Sequence, residues 1–290
     1  MSRFRPALAL SLGLSIAGAG AARADPPLWR VIGPGAEIDL FGSIHLLSDA
    51  TRWKTPALED RLAKADAVWF EIPLGNAAQA QAVSLMQAQG MLADGQTLSA
   101  LLPPSLEARV VALAQREGLP AAAVEHMRPW LVELELELLF FEHQGAREDL
   151  GVEAQLNAAA PAHAERGAFE TLADQVTMLA SDPMAEQIAS LKQTLDEIDT
   201  DPQIFARMAD AWRRGDVQAL VREVVTPMRK EDEALYRRLL VERNRRFAAR
   251  IEQMAQGRQR VFVVVGVGHL VGPDGVPALL RRDGLKVEGP

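Results

Sequence analysis

Five residues near the C-terminus, Val261-Phe262-Val263-Val264-Val265, constrain this chain more than any other stretch. The run is continuous, apolar and largely β-branched, and it ends at Gly266-Val267-Gly268-His269. A strand with no polar alternation reads as buried on both faces, inside a sheet with helices packed over it. The expected fold is therefore α/β (α+β), with a central, mostly buried sheet.

The same pattern recurs near the other end. Ile38-Asp39-Leu40-Phe41 runs into Gly42-Ser43-Ile44-His45, and Ala67-Val68-Trp69-Phe70 runs into Glu71. Each of the three strands delivers an ionisable residue at or just past its C-terminal end. Open α/β sheets gather their sites along that edge, where the loops converge. Glycine there lets the backbone turn and a ligand approach closely. The chain has five histidines, and two of them share the G-x-x-H setting. His45, Glu71 and His269 are the candidate site, with Gly42 and Gly266 as its supporting glycines.

Two imidazoles and a carboxylate support two kinds of chemistry. They can hold a divalent ion with open positions, zinc, manganese or cobalt being suited to a nitrogen and oxygen donor set. They can also act without metal, one His serving as general base on water. Spacing leaves both open. Gly266-Val267-Gly268 is too short for a dinucleotide fingerprint, and no helix opens directly from it, so no nucleotide cofactor is expected.

The remaining elements follow from local signals. Trp29-Arg30-Val31-Ile32 and Ile38 to Phe41 flank Gly33-Pro34-Gly35, a hairpin pattern. Thr55 caps a helix that starts with Pro56. From about residue 77 to 255 the chain reads as a large, mostly helical insertion, with helices over Leu106 to Arg116 and Ala185 to Ile198. Val132 to Phe141 alternates Leu and Glu, but both residue types favour helix, so helix is expected. Glu133, Glu135 and Glu137 are then expected to be solvated. A weak strand near Ala168-Phe169 precedes Glu170, and a short helix from Val276 to Arg282 precedes a last strand at Leu285 to Val287.

Glu231 to Ala255 reads as one long helix. At about 100° per residue, Tyr236, Leu239, Leu240, Phe247, Ile251 and Met254 share a face. Arg243 falls near its middle and Asn244 at its edge, whereas Arg237, Arg238, Glu242 and Arg245 point elsewhere and are expected in solvent. Arg243 either snorkels to water or pairs its guanidinium with a site carboxylate such as Glu71.

The N-terminus bears on location. Arg3 and Arg5 precede an apolar run from Ala7 to Gly20, and Ala22-Arg23-Ala24 supplies an A-x-A cleavage pattern. This is a signal-peptide pattern over residues 1–24, with cleavage expected after Ala24 and residues 25–290 left as a single domain. The run is shorter than the roughly 20 residues a membrane-spanning helix needs. A periplasmic or secreted protein with no stable membrane span is expected. The net charge is −8, and residues 1–24 carry three of the arginines and none of the acids, so the remainder is more acidic still. Such a body is a poor partner for nucleic acid. There are no cysteines, which removes disulfides, thiolate ligands and a cysteine nucleophile.

At the two G-x-x-H elements and Glu71 the chain resembles the TraB/GumN family, which includes the Tiki proteins. Leu239 to Arg246, read with Val264 to Leu270, carries the resemblance further. Gly151-Val152-Glu153 resembles a family Gly-x-acid element, and Phe169-Glu170-Thr171 a Leu-Glu-Thr element. The segment Ala162 to Gly167 is polar where the family has an apolar strand before its Glu-Thr pair. The resemblance spans nearly all of residues 25–290 and implies a hydrolase acting on a peptide or small molecule. Tiki proteins are metal-dependent proteases, so the resemblance implies a metal-dependent peptidase as the first expectation, with His45, Glu71 and His269 as metal ligands. The more distant erythromycin esterases share the layout without metal. A rival from another class is a non-catalytic ligand-binding or accessory protein in envelope polysaccharide assembly.

Overall fold

A computed structural model describes residues 25–49, 51–231 and 233–290. The expected signal segment, residues 1–24, lies outside the described residues. Six strands form one mixed sheet: β1 (Leu28–Ile32), β2 (Glu37–Ser43), β3 (Ala67–Phe70), β4 (Glu165–Ala168), β5 (Arg260–Gly266) and β6 (Lys286–Glu288). Their order is β4-β3-β5-β2-β1-β6. The α/β reading is thus the observed class.

β1 and β2 pair antiparallel with Trp29 opposite Leu40 and Ile32 opposite Glu37, so the Gly33-Pro34-Gly35 hairpin forms as read. β2, β3 and β4 run parallel to their neighbours in the β4-β3-β5-β2 block. β5 lies between β2 and β3, although it comes last of the four in sequence. All five residues Val261 to Val265 are buried, as an unbroken apolar strand at the sheet centre requires. Each such side chain contributes about 1.5–3 kcal/mol by leaving water.

β4 sits at the sheet edge, and edge strands tolerate polar residues because one side remains wet. Glu165 and Arg166 are exposed, which explains the polarity of the segment before Glu170. The helical insertion is thus interrupted by a strand that joins the sheet.

The first helix is Pro56–Ala63, with the Thr55 side chain accepting from the Leu58 N–H at 3.2 Å. Pro104–Arg116, Met184–Thr200 and Val276–Arg282 match the expected helices. Pro129–His143 is helical throughout, despite the Leu–Glu alternation. The glutamates on it depart from expectation. Glu133, Glu135 and Glu137 are half-buried, and Glu133 accepts hydrogen bonds from Ser190 at 2.9 Å and Thr194 at 2.8 Å. The Met184–Thr200 helix packs over this face and takes it out of bulk water.

The Glu231 to Ala255 segment is not a uniform α-helix. Arg237–Val241 is a π-helical turn leading into the α-helix Glu242–Ala255. The apolar face is as read, with Tyr236, Leu240, Phe247 and Ile251 buried. Arg238 is a correction: it is half-buried and bonded to Asp182, which the helical wheel alone could not show. Among the described residues, no helix is long and apolar enough to cross a membrane.

Candidate active site

The parallel block brings four acidic or imidazole-bearing loops to one edge. Register places Ser43 opposite Gly266 and Phe70 opposite Val264. Glu71, one residue past β3, therefore reaches the turn that ends β5. The Gly266 N–H donates to Glu71 Oε1 at 2.5 Å. An ideal β-carbon on Gly266 would lie 3.0 Å from Glu71 Oε1, 3.8 Å from His269 Cδ2 and 4.0 Å from His45 Nε2. The three candidate residues thus close around one α-carbon, and the space for them exists because residue 266 has no side chain.

His269 is buried, with 4% of its surface exposed. Its Nδ1 lies 2.5 Å from Asn244 Oδ1, and Asn244 Nδ2 donates to the Asp274 carbonyl at 2.8 Å. That second bond fixes the amide with its oxygen toward the ring, so Nδ1 carries the proton and Nε2 is an acceptor. Arg243 Nη1 donates to Nε2 at 3.1 Å, and Glu71 Oε1 lies 3.6 Å from it. Burial pushes the imidazole down to about 4, with Arg243 adding to the effect and Glu71 opposing it. His269 is neutral at physiological pH.

His45 differs in its depth and in the charge of its Nδ1 partner. It lies at the cleft mouth with 73% of its side chain exposed, and its Nδ1 sits 2.7 Å from Glu153 Oε1. The Glu153 carboxylate raises the ring to about 9. Because the ring is exposed, water screens the pair, and the direction of the shift carries the argument. Ser43 Oγ donates to the same carboxylate oxygen at 2.5 Å. Glu153 is brought there by a close backbone approach: a β-carbon on Gly151 would lie 2.0 Å from the His45 carbonyl oxygen, and Val152 N–H donates to the Ile44 carbonyl at 3.1 Å. The Gly42 carbonyl accepts from the buried Trp212 indole at 2.7 Å, which pins the first G-x-x-H turn.

Arg243 is the hub beneath the floor of the site. Its Nη2 is 2.7 Å from Glu71 Oε2 and 2.8 Å from Glu170 Oε2, and its Nε is 2.9 Å from Glu170 Oε2. Nη1 also donates to the Leu239 carbonyl at 3.1 Å, and the group stacks on Phe247 at 5.5 Å. With only 7% of its side chain exposed, it does not snorkel. Arg246 also donates to Glu170, at 2.8 Å. Burial alone would raise the Glu71 carboxyl. It is instead held at about 2, by His269 once that ring is protonated, by Arg243 and His45, and by the Gly266 N–H.

His45, Glu71, Glu153 and Gln175 line an open cleft of about 670 Å³, whose far wall is Ile72 to Asn76 with Gln79. His269 and Arg243 lie behind Glu71. All the residues singled out in the sequence therefore converge. Sequence reasoning missed Glu153 as the His45 partner, along with Ser43, Trp212 and Asp274. The Gly-x-acid pattern at Gly151 was the available signal for the first of these.

No curated protein and no solved structure matches this chain. A family model does, over residues 27–289, and that span takes in both G-x-x-H turns, Glu71 and the Arg243 hub. The chain belongs to the TraB/PrgY/gumN family.

Proposed function

We propose that this protein is a periplasmic or secreted hydrolase that cleaves an ester or amide bond in a peptide or small molecule. One observation carries the reading: two imidazoles meet at one carboxylate, and their surroundings drive their proton affinities apart. Such divergence assigns acid and base roles. For the step to run, Arg243 Nη1 gives up Nε2 and keeps its bond to the Leu239 carbonyl, and the attacking water sits between Glu71 Oε1 and His269 Nε2, which lie 3.6 Å apart. The neutral His269 ring takes the proton that water loses as its oxygen bonds to the carbonyl carbon. The His45 imidazolium gives its proton to the departing oxygen or nitrogen, and Glu153 keeps that ring oriented. The cleft wall is acidic at Glu148, Asp149 and Glu153 and uncharged from Ile72 to Asn76.

A metal-dependent peptidase is the second reading. What favours it is the partner on each Nδ1, Glu153 for His45 and Asn244 for His269, which is the arrangement metal-binding imidazoles use. The arrangement as it stands does not fit an ion. The Arg243 guanidinium, 3.1 Å from His269 Nε2 and 2.7 Å from Glu71 Oε2, sets a fixed positive charge where a dication would sit, and no three such residues among the described residues are spaced as a ligand set. The mechanism therefore routes no step through a metal.

The test is turnover of a peptide library and an ester panel by purified protein, with and without excess chelator. Hydrolysis that survives chelation and disappears in Glu71→Gln and His45→Gln supports the first reading. Loss on chelation with recovery on added zinc, manganese or cobalt moves the assignment to the second. No turnover of any substrate, with saturable ligand binding, would make the protein a binding or accessory component.

A further inference from the structure

A second cavity, of about 380 Å³, lies among the helices away from the sheet edge. That volume is within the range of small-molecule pockets, about 300–1,000 Å³. Its walls are mostly apolar, with Phe141, Phe205, Met208 and Met228 prominent, and its polar end is acidic. Glu133 and Glu137 sit there on the Pro129–His143 helix, joined by Glu197 from Met184–Thr200. Among the described residues, no basic residue lines the cavity.

The carboxylates are not equally satisfied. Glu133 accepts from Ser190 and Thr194, and Glu197 accepts from Gln193 at 3.0 Å. Among the described residues, Glu137 has no hydrogen-bond or ion-pair partner. Burial, reinforced by Glu133 and Glu197, pushes its carboxyl up to about 7. A half-buried carboxyl beside two like charges, at the end of an apolar chamber, is stabilised by a cation that brings its own apolar body.

The geometry points to a binding site for a cationic amphiphile, an alkyl chain seated against Phe205 and Met208 with a protonated amine at Glu137. Its position also ties it to the active site. The chain has two π-helical turns, Val221–Val225 and Arg237–Val241, among the described residues, and both contribute to the cavity wall. Turns of this type often mark functional positions. Val224 lines the cavity, and its Cγ1 would lie 3.4 Å from a β-carbon on Gly268, in the second G-x-x-H turn. Leu239 also lines it, and the Leu239 carbonyl holds Arg243 Nη1. An occupant therefore presses on the same two turns that position His269 and Arg243. This inference rests on no step of the proposed hydrolysis.

The test uses purified protein and n-octylamine below its micelle concentration, with octanoate and 1-octanol as controls of the same tail. Calorimetry should give saturable octylamine binding, at least tenfold tighter than either control. Glu137→Gln should weaken it at least tenfold while leaving the melting temperature no lower than wild type. Met208→Trp, which fills the cavity without touching the acidic end, should abolish it. Saturation should also shift the His269 imidazole resonances. Equal binding of amine, acid and alcohol, no binding at all, or binding indifferent to both variants would overturn the site. Tight binding with unmoved His269 resonances would overturn the coupling.

Discussion

The two G-x-x-H turns are the same motif put to opposite electrostatic use. His45 stands in an open cleft against a carboxylate and holds its proton; His269 is packed in the core against an amide and does without one. Both rings have their Nδ1 held by a partner, so orientation does not separate them. What separates them is the charge of that partner and the depth of the ring. An identical sequence signature thus fixes where an imidazole sits at a strand end but not which protonation state it adopts.

Arg243 maintains the buried half of this contrast, and removing it should have the largest effect. Arg243→Ala leaves Glu71 and Glu170 without their main counter-charge, and breaking a buried ion pair from one side costs about 3–5 kcal/mol. Chemical denaturation should show that loss. Arg243→Lys keeps the charge but cannot bridge Glu71, Glu170 and His269 at once, so it should lose activity while remaining more stable than the Ala variant.

A methyl group on Gly266 is the next perturbation. It would contact Glu71 Oε1 at 3.0 Å, tight enough to displace the carboxylate from the Gly266 N–H and from Arg243. Gly266→Ala should cost about 1–3 kcal/mol and most of the activity. An active variant of wild-type melting temperature would show that the close approach is not needed. Trp212→Phe should cost about 1–3 kcal/mol by leaving the buried Gly42 carbonyl without its donor, and so loosen the His45 turn alone.

How much of this was legible beforehand depended on range. The strands, the Gly33 hairpin, the Thr55 cap and the apolar face around Arg243 are local patterns, and each was readable from its own residues. Insertion of β5 between β2 and β3 is a long-range pairing that no local pattern encodes, yet it alone brings Glu71 to Gly266. Glu133 and Glu137 were misread because periodicity cannot show that a second helix will cover a face. The polarity before Glu170 has the opposite cause: an edge strand does not need apolar residues. Glu153 stayed hidden because its role depends on Gly151 meeting the His45 backbone, a contact between distant segments.

The smallest effects concern pH, where the two rings should act with opposite sign. His269 has a folded value near 4 against an ordinary 6.5, so the unfolded chain binds its proton first. The stability it contributes is full above about 6.5 and is lost as pH falls through about 4. Glu71, held at about 2, adds a further loss in stronger acid. His45 contributes below about 6.5 and loses that as pH rises through about 9, weakly because water screens it. If catalysis uses His269 as base and His45 as acid, the rate should rise through about 4 and fall through about 9.

The most direct test of the divided roles is an NMR titration of the two imidazoles, assigned through His45→Gln and His269→Gln. The account predicts that His45 titrates near 9 and His269 near 4, and that Glu153→Gln lowers the first while leaving the second in place. Two rings titrating together near their ordinary 6.5, or in the reverse order, would contradict it.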